Sequence, residues 1–468
     1  MSAAVSRGRV SLVLHTHMPY VEGFGTWPFG EEWLWEAVAT SYLPLLDLLD
    51  AGAPLTLSLT PVVCDQLADP AALERCAAFL RDVRPASHRL DIDAFREVGA
   101  EAEAAELERA AGQYAAALAA LEAAQAAGGL LQRLAPHAAW TSSATHAILP
   151  LVATDAGVRL QVQAGVESHR ARFGDGWRGG FWLPECAHEP WVDVFLEEAG
   201  VHAACVELTT AFGAGDPRHL TPLRSAAGPL LVPIDRALID LVWGPGGYPS
   251  HDAYRDEHRR TTRDHKPWAN DGSVYDPGRG LAQARADARA FAEHCAERVR
   301  DGGQCTLAFD TELFGHHWHE GPAFLAAFVA ACAELDVPLV PLDDALREAQ
   351  AAPWPQELDA PTSWGQPPTL WTWSGPQVAD MARAQRDAEL RVVARGPAVP
   401  ERAVRELLAL QASDWPFLET RALAGPYARE RFSGHLAALD EALDAVPSPD
   451  PAVRSLAPML RTAPLLEP

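Results

Sequence analysis

Two stretches of the chain each present a single carboxylic acid at the end of an apolar run. Residues 179–187 read Gly-Gly-Phe-Trp-Leu-Pro-Glu-Cys-Ala and residues 306–315 read Thr-Leu-Ala-Phe-Asp-Thr-Glu-Leu-Phe-Gly, which places Glu185 and Asp310 at the two strand ends. Cleavage of an acetal needs one carboxylic acid that protonates the leaving oxygen and a second carboxylate that attacks the anomeric carbon or activates water. The pair therefore favours glycosidic bond chemistry, although ordinary strand-end acids that cap a helix or pair with arginine have the same sequence pattern.

Histidines near the same strand ends offer a different chemistry. His15 and His17 lie two residues apart, so in a strand they share a face and point into one cleft. With His316, His317 and His319 they could ligate a metal ion, because imidazole is a common metal ligand. No histidine pair has the helical i, i+4 spacing with a glutamate, and strand-end histidines also hydrogen-bond sugar hydroxyls. We therefore expect no metal and no other cofactor.

Tryptophan is abundant, with 15 in 468 residues. Flat aromatic faces suit sugar rings as well as protein cores. Trp27, Trp33, Trp243 and Trp268 occur in predicted loops, which favours stacking on sugars. Trp415 lies in an apolar helical stretch and is expected in the core.

The elements that would position these residues follow a βαβ order. Residues 10–14 predict a buried strand that ends at His15, residues 37–49 a helix, and residues 55–60 a second strand. Further strands are predicted at 203–207, 230–235 and 338–342. This order indicates a parallel sheet or barrel, in which the strand ends that carry the acids and histidines meet at one edge.

Two parts of the chain contain helical patterns without strands. Residues 69–129 are rich in alanine and glutamate and predict a helical insertion. Residues 379–446 are helical throughout, and the segment 351–376 before them is rich in proline and tryptophan, as in a linker that folds back on the first domain. The polar segment 243–276 has the composition of a binding loop.

Composition limits the partners of the protein. The net charge of -25 argues against nucleic acid and anionic membranes, which attract positive surfaces, whereas neutral sugars are compatible with it. The seven cysteines form no C-x-x-C pair, which argues against a disulfide framework and a structural zinc site. There is no apolar signal core at the N-terminus and no run of 18 apolar residues. We expect a soluble cytoplasmic protein.

Several motifs together resemble the signature regions of glycoside hydrolase family 57. They are His-Thr-His-Met-Pro-Tyr at 15–20, Trp-Leu-Pro-Glu-Cys at 182–186 and Phe-Asp-Thr-Glu-Leu-Phe-Gly at 309–315. Within the family, Trp-Pro-Phe-Gly-Glu-Glu-Trp at 27–33 and Ala-Ser-Asp-Trp-Pro-Phe-Leu at 412–418 resemble the N-terminal loop and the helical C-terminal domain of α-1,4-glucan branching enzymes. The resemblance spans nearly the whole chain.

The resemblance implies an α/β fold built on a distorted (β/α)7 barrel. The barrel would comprise 1–68 and 136–350, with a helical insertion domain at 69–135. A helical C-terminal domain would follow at 351–468, entered through the Trp/Pro-rich segment. The reaction implied is a retaining double displacement that uses no metal.

Carried onto this sequence, the resemblance makes Glu185 the nucleophile and Asp310 the general acid/base. Glu185 must be ionised to attack, while Asp310 must hold a proton, which requires a raised pKa. The two carboxyl groups of a retaining pair lie about 5–5.5 Å apart. His15 and His146 match sugar-contacting positions of the family. The residues expected to bind substrate are His15, His17, Trp27, His146, Trp243, Trp268, His317 and Trp371.

One departure from the family bears on the reaction outcome. Branching members carry a long loop that holds a tyrosine over the active site, whereas the corresponding interval, about 211–236, is short and contains no tyrosine. Tyr248 and Tyr254 are the candidates to replace it. Without this cover, water competes with an acceptor glucan for the glycosyl-enzyme.

The resemblance thus implies a branching enzyme, with notable hydrolysis because of the short interval, and we expect a monomer. Its expected substrates are amylose, glycogen and maltooligosaccharides. The alternatives are an α-amylase-like hydrolase on the same scaffold, a glucan-binding protein without catalysis, and, most remotely, a metal-dependent deacetylase.

Overall fold

The computed structural model describes residues 8–26, 29–444, 453 and 455–466. Trp27, one of the expected sugar-binding residues, lies outside the described residues. Within the described part, one nine-stranded sheet forms the centre of the fold.

The strands follow one another along the chain with helices between most of them. They are β1 (Arg9–Thr16), β2 (Thr56–Leu59), β3 (Ala138–Ser142), β4 (Gly180–Trp182), β5 (Ala203–Val206), β6 (Leu223–Arg224), β7 (Leu230–Pro233), β8 (Gln304–Asp310) and β9 (Ala352–Pro353). In the sheet their order is β8-β1-β2-β3-β4-β5-β7-β6-β9. The first seven strands of this order are parallel, and β6 is antiparallel to β7.

The sheet curls until its two sides meet. Beyond the end of β7, the backbone N–H of Asp235 donates to the carbonyl of Thr306 on β8, at 2.8 Å. Seven parallel strands closed in this way, with helices in the crossovers, confirm the predicted α/β fold of the distorted (β/α)7 type.

Nineteen α-helices are described. Up to β8 they are α1 (Glu31–Ala37), α2 (Leu43–Asp50), α3 (Pro61–Ala68), α4 (Pro70–Ala78), α5 (Arg84–Glu97), α6 (Glu101–Ala126), α7 (Leu130–Leu134), α8 (Asp155–Phe173), α9 (Asp193–Glu198), α10 (Thr209–Phe212), α11 (Arg236–Trp243) and α12 (Pro277–Arg298). After β8 they are α13 (Gly321–Glu334), α14 (Leu342–Arg347), α15 (Trp371–Ser374), α16 (Ala379–Ala394), α17 (Glu401–Leu410), α18 (Asp414–Thr420) and α19 (Tyr427–Leu443).

A π-helical turn joins α1 to α2. It spans Val38–Tyr42, and the wider turn directs two side chains toward the loop after β8. Ser41 donates to the carbonyl of Thr311 at 2.8 Å, and Tyr42 donates to Glu312 at 2.5 Å. Single π-turns inside α-helices frequently accompany functional sites.

Strand β1 is buried along nearly all of its length, as expected for a parallel strand covered by helices on one side and filled barrel on the other. Val10, Leu12 and Leu14 are fully buried hydrophobic residues of the core, and His15 at the C-terminal end is also fully buried. The apolar run at 10–14 therefore fixes where the His15–His17 motif leaves the sheet.

One strand prediction differs from the structure, and the strand before His146 was not predicted. The segment 338–342 makes an isolated bridge, Leu339 beside Val10, because helix α14 begins at Leu342 and leaves no room for a strand. Strand β3, which precedes His146, was missed by the sequence reasoning because Ala138-Ala139-Trp140 carries little β-branched signal.

The long polar segment after α11 is anchored on the helices between β2 and β3. His265 contacts Asp91 of α5 through Nδ1 at 2.7 Å and Ser87 through Nε2 at 3.2 Å. Arg255 donates to Glu106 of α6 at 2.5 Å. These buried polar contacts hold the segment in one position.

No single described helix is long and apolar enough to cross a membrane. The pair Glu101–Ala126 and Leu130–His137 reaches that length and composition only when its two helices, bent by 86°, are taken together.

Candidate active site

The C-terminal ends of four parallel strands bring the candidate chemistry together. His15 on β1 is the register partner of Asp310 on β8, His146 follows β3, and Glu185 follows β4. In parallel barrels this edge carries the active site, because all the strand ends and their loops converge there.

Glu185 sits on a strained turn that aims its side chain into the cluster. The turn Pro184–Cys186 gives Glu185 φ 60° and ψ 22°, a left-handed conformation that non-glycine residues seldom adopt. The Trp364 indole donates to Oε2 at 2.7 Å, and the Ser413 hydroxyl donates to Oε1 at 3.4 Å. Each carboxylate oxygen thus has one donor, and the side chain is 17% exposed.

The two acids have different electrostatic surroundings. Burial raises the pKa of Glu185 to about 7, against the opposing hydrogen bond from Trp364. Burial and then the negative charge of Glu185 raise the pKa of Asp310 well above its usual value. An ionised Glu185 therefore keeps the proton on Asp310, which is the division between nucleophile and acid that glycoside cleavage needs.

Three histidine rings stack on one another close to Glu185. The ring of His146 lies 4.0 Å from that of His17 and 4.9 Å from that of His15, and His15 also stacks on Trp182 at 4.6 Å. The Nδ1 of His146 is 3.7 Å from Oε1 of Glu185. The predicted shared face of His15 and His17 is thus present, and His146 joins it.

His17 has a charged partner that sequence reasoning did not identify. Its Nε2 contacts both oxygens of Asp414, at 3.0 and 3.2 Å, and its Nδ1 contacts the Thr60 hydroxyl at 3.2 Å. Burial alone would lower the pKa of His17, but the charge and hydrogen bond of Asp414, together with Glu312 and Glu185, raise it. Asp414 therefore favours the protonated form of His17.

Three of these residues could also hold a metal ion. The donor atoms of His17, His146 and Asp414 lie within 4.8 Å of one another. In the structure these atoms bind protein partners, since His17 Nε2 contacts Asp414 and the His146 nitrogens contact Ser413 and His15. A cation would have to replace those hydrogen bonds.

The histidines after β8 contact one another and Tyr275. The rings of His316 and His317 are 4.6 Å apart, and His319 packs against Tyr275 at 5.6 Å. The backbone N–H of His317 donates to the carbonyl of Glu312 at 3.1 Å, so this expected substrate-binding residue belongs to the loop that leaves Asp310.

The tryptophans predicted to stack on sugar are placed differently from one another. Trp243, at the end of α11, is 45% exposed, and Trp371, at the start of α15, is 41% exposed. Trp268 is half-buried, with Arg259 over its face at 4.0 Å and Phe95 of α5 at its edge. Among the described residues, none of these three indoles hydrogen-bonds or stacks with the residues around Glu185.

Neither candidate tyrosine covers the acids. Tyr254 is fully buried and donates to Asp287 of α12 at 2.6 Å. Tyr248 packs on Phe291 and Phe324, on helices α12 and α13. Both phenol rings are thus part of the packing around the helices outside the sheet.

Residues that contact the candidate site but were not identified from the sequence come mainly from the C-terminal part. Trp364, Ser413 and Asp414 contact Glu185 or His17 across 179, 228 and 397 positions of the chain. The available signals were the tryptophan-rich segment 351–376 and the motif at 412–418, which indicated a domain type but no contact partner.

Sequence comparison finds two family matches. Residues 139–353 match glycosyl hydrolase family 57, and residues 377–466 match the C-terminal domain of 1,4-alpha-glucan branching enzymes. A probable 1,4-alpha-glucan branching enzyme of Mycobacterium tuberculosis is 31% identical over 518 aligned residues, covering 94% of this chain and 92% of that protein. The 1,4-alpha-glucan branching enzyme of Thermococcus kodakarensis is 28% identical, covering 92% of this chain and 72% of that protein.

Two solved structures illustrate the shared fold. The branching enzyme of Pyrococcus horikoshii superimposes with a TM-score of 0.87 at 26% identity, covering 98% of this chain and 97% of that chain. The α-amylase AmyC of Thermotoga maritima superimposes with a TM-score of 0.80 at 21% identity, covering 99% of each chain, which establishes a shared fold alone.

Proposed function

The chain belongs to glycoside hydrolase family 57, as a 1,4-α-glucan branching enzyme, and from this premise we propose how its site acts and on what. The substrates are α-1,4-glucans such as amylose, glycogen and longer maltooligosaccharides. Glu185 is the nucleophile and Asp310 the general acid/base. The observation that carries this assignment is the strained turn at Glu185, with one donor on each carboxylate oxygen and the charge of Glu185 acting on Asp310.

The first step breaks an α-1,4 bond. An oxygen of ionised Glu185 attacks the anomeric carbon while Asp310 gives its proton to the departing 4-oxygen, so a glycosyl ester forms and the rest of the chain leaves as an alcohol. In the second step Asp310 takes the proton from the 6-hydroxyl of an acceptor glucan, whose oxygen attacks the anomeric carbon and releases Glu185. The configuration is retained because two inversions occur.

Water is proposed to compete in the second step. The interval 211–236 contains no tyrosine, and Tyr248 and Tyr254 pack among the outer helices. A glycosyl ester that is open to water is hydrolysed, which yields a reducing end in place of an α-1,6 link. This feature also supports the second candidate function, an α-amylase-like hydrolase, for which hydrolysis would be the sole outcome.

Incubation with amylose tests the proposal and separates the two functions. We expect α-1,6 links, counted by proton NMR and by debranching, together with a substantial number of new reducing ends. If new reducing ends form without any α-1,6 link, the result would exclude branching and support the α-amylase-like hydrolase. The matched variants are Glu185→Gln, which we expect to be inactive, and Glu198→Gln, an exposed acid on α9 that pairs with Arg159 and should leave turnover unchanged.

A second measurement assigns the two acids. Asp310→Ala should lose activity on amylose but still form the glycosyl-enzyme from α-maltosyl fluoride, because fluoride leaves without a proton. Glu185→Gln should fail with both substrates. Equal loss of both reactions in Asp310→Ala would contradict the acid/base role.

A further inference from the structure

A series of hydrogen-bonded polar side chains connects strand β2 to Glu185. The Ser58 hydroxyl is 3.2 Å from Nδ1 of His15, and Nε2 of His15 is 3.0 Å from Nε2 of His146. Nδ1 of His146 is 2.8 Å from the Ser413 hydroxyl, which is 3.4 Å from Oε1 of Glu185. Ser58, His15, His146 and Ser413 are all buried.

The backbone fixes each member of the chain. Ser58 and His15 are register partners on β2 and β1, and the His15 ring is stacked on Trp182. The backbone N–H of Ser413 donates to the carbonyl of His146 at 3.2 Å, next to the bridge between Ala147 and Ala412. The C-terminal part of the protein therefore docks on the loop after β3 at the point where the chain of side chains crosses to Glu185.

The ionised carboxylate sets the direction of every hydrogen bond in the chain. An ionised Glu185 can only accept, so the single hydroxyl hydrogen of Ser413 points to it, and Nδ1 of His146 must donate to Ser413. A neutral His146 then has a bare Nε2, which accepts from Nε2 of His15, and the bare Nδ1 of His15 accepts from Ser58. Burial and the neighbouring histidine charges lower the pKa of both His15 and His146 well below the usual value, which is consistent with neutral rings.

We propose that Ser58, His15, His146 and Ser413 form a directed hydrogen-bond relay that orients Glu185 and stabilises its ionised form, with Ser413 as the positioning residue that joins the C-terminal part to the nucleophile. Hydrogen bonds in such a series polarise one another, so the last donor binds the carboxylate more strongly than an isolated serine would. Both ring nitrogens of His15 are engaged in the relay, so His15 acts through His146. The inference rests on the proposed function in its assignment of Glu185 as nucleophile.

Other charged groups also face Glu185, and the relay acts against their background. His17 and Asp414 approach from the loop after β1 and from α18, and Asp310 approaches from β8 with Glu312 beside it. The charge of Asp414 disfavours the ionised form of Glu185, whereas His17 favours it. The Ser413 hydroxyl and the Trp364 indole N–H donate directly to the carboxylate.

The pH profile of Ser413 variants tests the relay. The readout is kcat/KM for the consumption of amylose, followed by iodine colour, which responds to branching and hydrolysis alike. In Ser413→Ala the rising limb of the profile should move to higher pH by about 0.5 to 1 pH unit. At pH values below the rising limb this shift corresponds to about a 3- to 10-fold loss of kcat/KM. Ser413→Thr should return the rising limb to its wild-type pH. Ser374 is an exposed serine of α15, and Ser374→Ala should leave the rising limb where it is.

The far end of the relay gives an independent variant. Ser58→Ala does not touch Glu185, yet it should move the rising limb in the same direction by a smaller amount. A rising limb that is identical in wild type, Ser413→Ala and Ser58→Ala would overturn the relay.

The tautomers of His15 and His146 test the relay independently of enzyme activity. In the 15N-histidine-labelled protein at pH 8.5, His146 should carry its proton on Nδ1 and His15 on Nε2, with each signal assigned by its loss in a His→Gln variant. The opposite tautomers, or an imidazolium at either position, would overturn the relay. Failure to detect α-1,6 links would contradict the proposed branching function and leave this measurement unaffected.

Discussion

Trp364 holds Glu185 at two points. Its backbone N–H donates to the Glu185 carbonyl at 2.9 Å, and its indole N–H donates to Oε2 of the same residue at 2.7 Å. The strand-like contact continues one step further, where His188 and Thr362 exchange backbone hydrogen bonds of 2.9 and 3.0 Å. The segment that leads into the C-terminal part thus holds the left-handed turn that carries Glu185, the proposed nucleophile, and strain of this kind persists only where the surroundings hold it.

Trp364→Phe should slow turnover and raise the pKa of Glu185. The change keeps the ring but removes the donor to Oε2, and a hydrogen bond to a charged group contributes about 1.5–3 kcal/mol, which corresponds to about a 10- to 100-fold loss of kcat/KM on amylose near pH 6. Trp354→Phe is the matched control, because that indole donates to the Leu358 carbonyl and does not touch Glu185. Equal losses in the two variants would mean that the indole acts through packing alone.

The pH dependence of the wild-type enzyme should be bell-shaped. As the proposed nucleophile, Glu185 must be ionised, and burial raises its pKa to about 7, so kcat/KM should rise as the pH increases through about 7. Asp310 must be protonated, and its pKa is raised well above the usual value, so activity should fall again at higher pH. For Asp310→Ala with α-maltosyl fluoride the falling limb of the first step should be absent, because that leaving group needs no proton. Circular dichroism across the range separates titration from unfolding.

Asp414→Asn should cost stability at low pH more than at high pH. The folded-state pKa of His17 is raised above the unfolded value, chiefly through Asp414 working against burial. The stabilisation from that pair is therefore fully present below about pH 6.5 and is lost as the pH rises through the folded pKa. We expect the variant to lose about 1.5–3 kcal/mol of unfolding free energy at pH 5.5 and less at pH 9, measured by urea denaturation.

The exposed pair of Asp440 with Arg391 supplies the comparison for Asp414. Asp440→Asn should change the free energy of unfolding by less than about 1 kcal/mol at either pH, since exposed ion pairs contribute little. An Asp414→Asn loss that does not vary with pH would contradict an ion pair at His17.

Gly315→Ala should destabilise the loop after β8. Gly315 has φ 111°, and a Cβ there would lie 1.8 Å from the carbonyl oxygen of Thr40 in the π-turn. The backbone must move apart at the point where Ser41 and Tyr42 hold Thr311 and Glu312, so we expect a loss of more than about 2 kcal/mol and a lower Tm. Gly112→Ala, inside helix α6 with open space around it, should instead raise the stability by about 0.5–1 kcal/mol. If Gly315→Ala left the free energy of unfolding unchanged, the close approach of Gly315 to Thr40 would not be required.

The local pattern of the sequence determined much of the fold and the two acids. The apolar run at 10–14 and the run before Asp310 are strands β1 and β8, because buried parallel strands must be apolar on both faces. The turn at Pro184 follows from a strand that ends in proline. Since parallel strands end at one edge, the two acids could be assigned to one site from their positions in the chain.

The tertiary structure alone decided what surrounds those acids. Ser413, Asp414 and Trp364 reach Glu185 and His17 because the C-terminal part packs on the loops after β3 and β4, and no periodicity in a linear sequence records which distant segments will pack together. The same holds for Tyr248 and Tyr254, whose packing against α12 and α13 away from the acids could be found only through their contacts. Sequence patterns record which face of an element is buried, whereas the partner of a buried side chain depends on how whole elements pack.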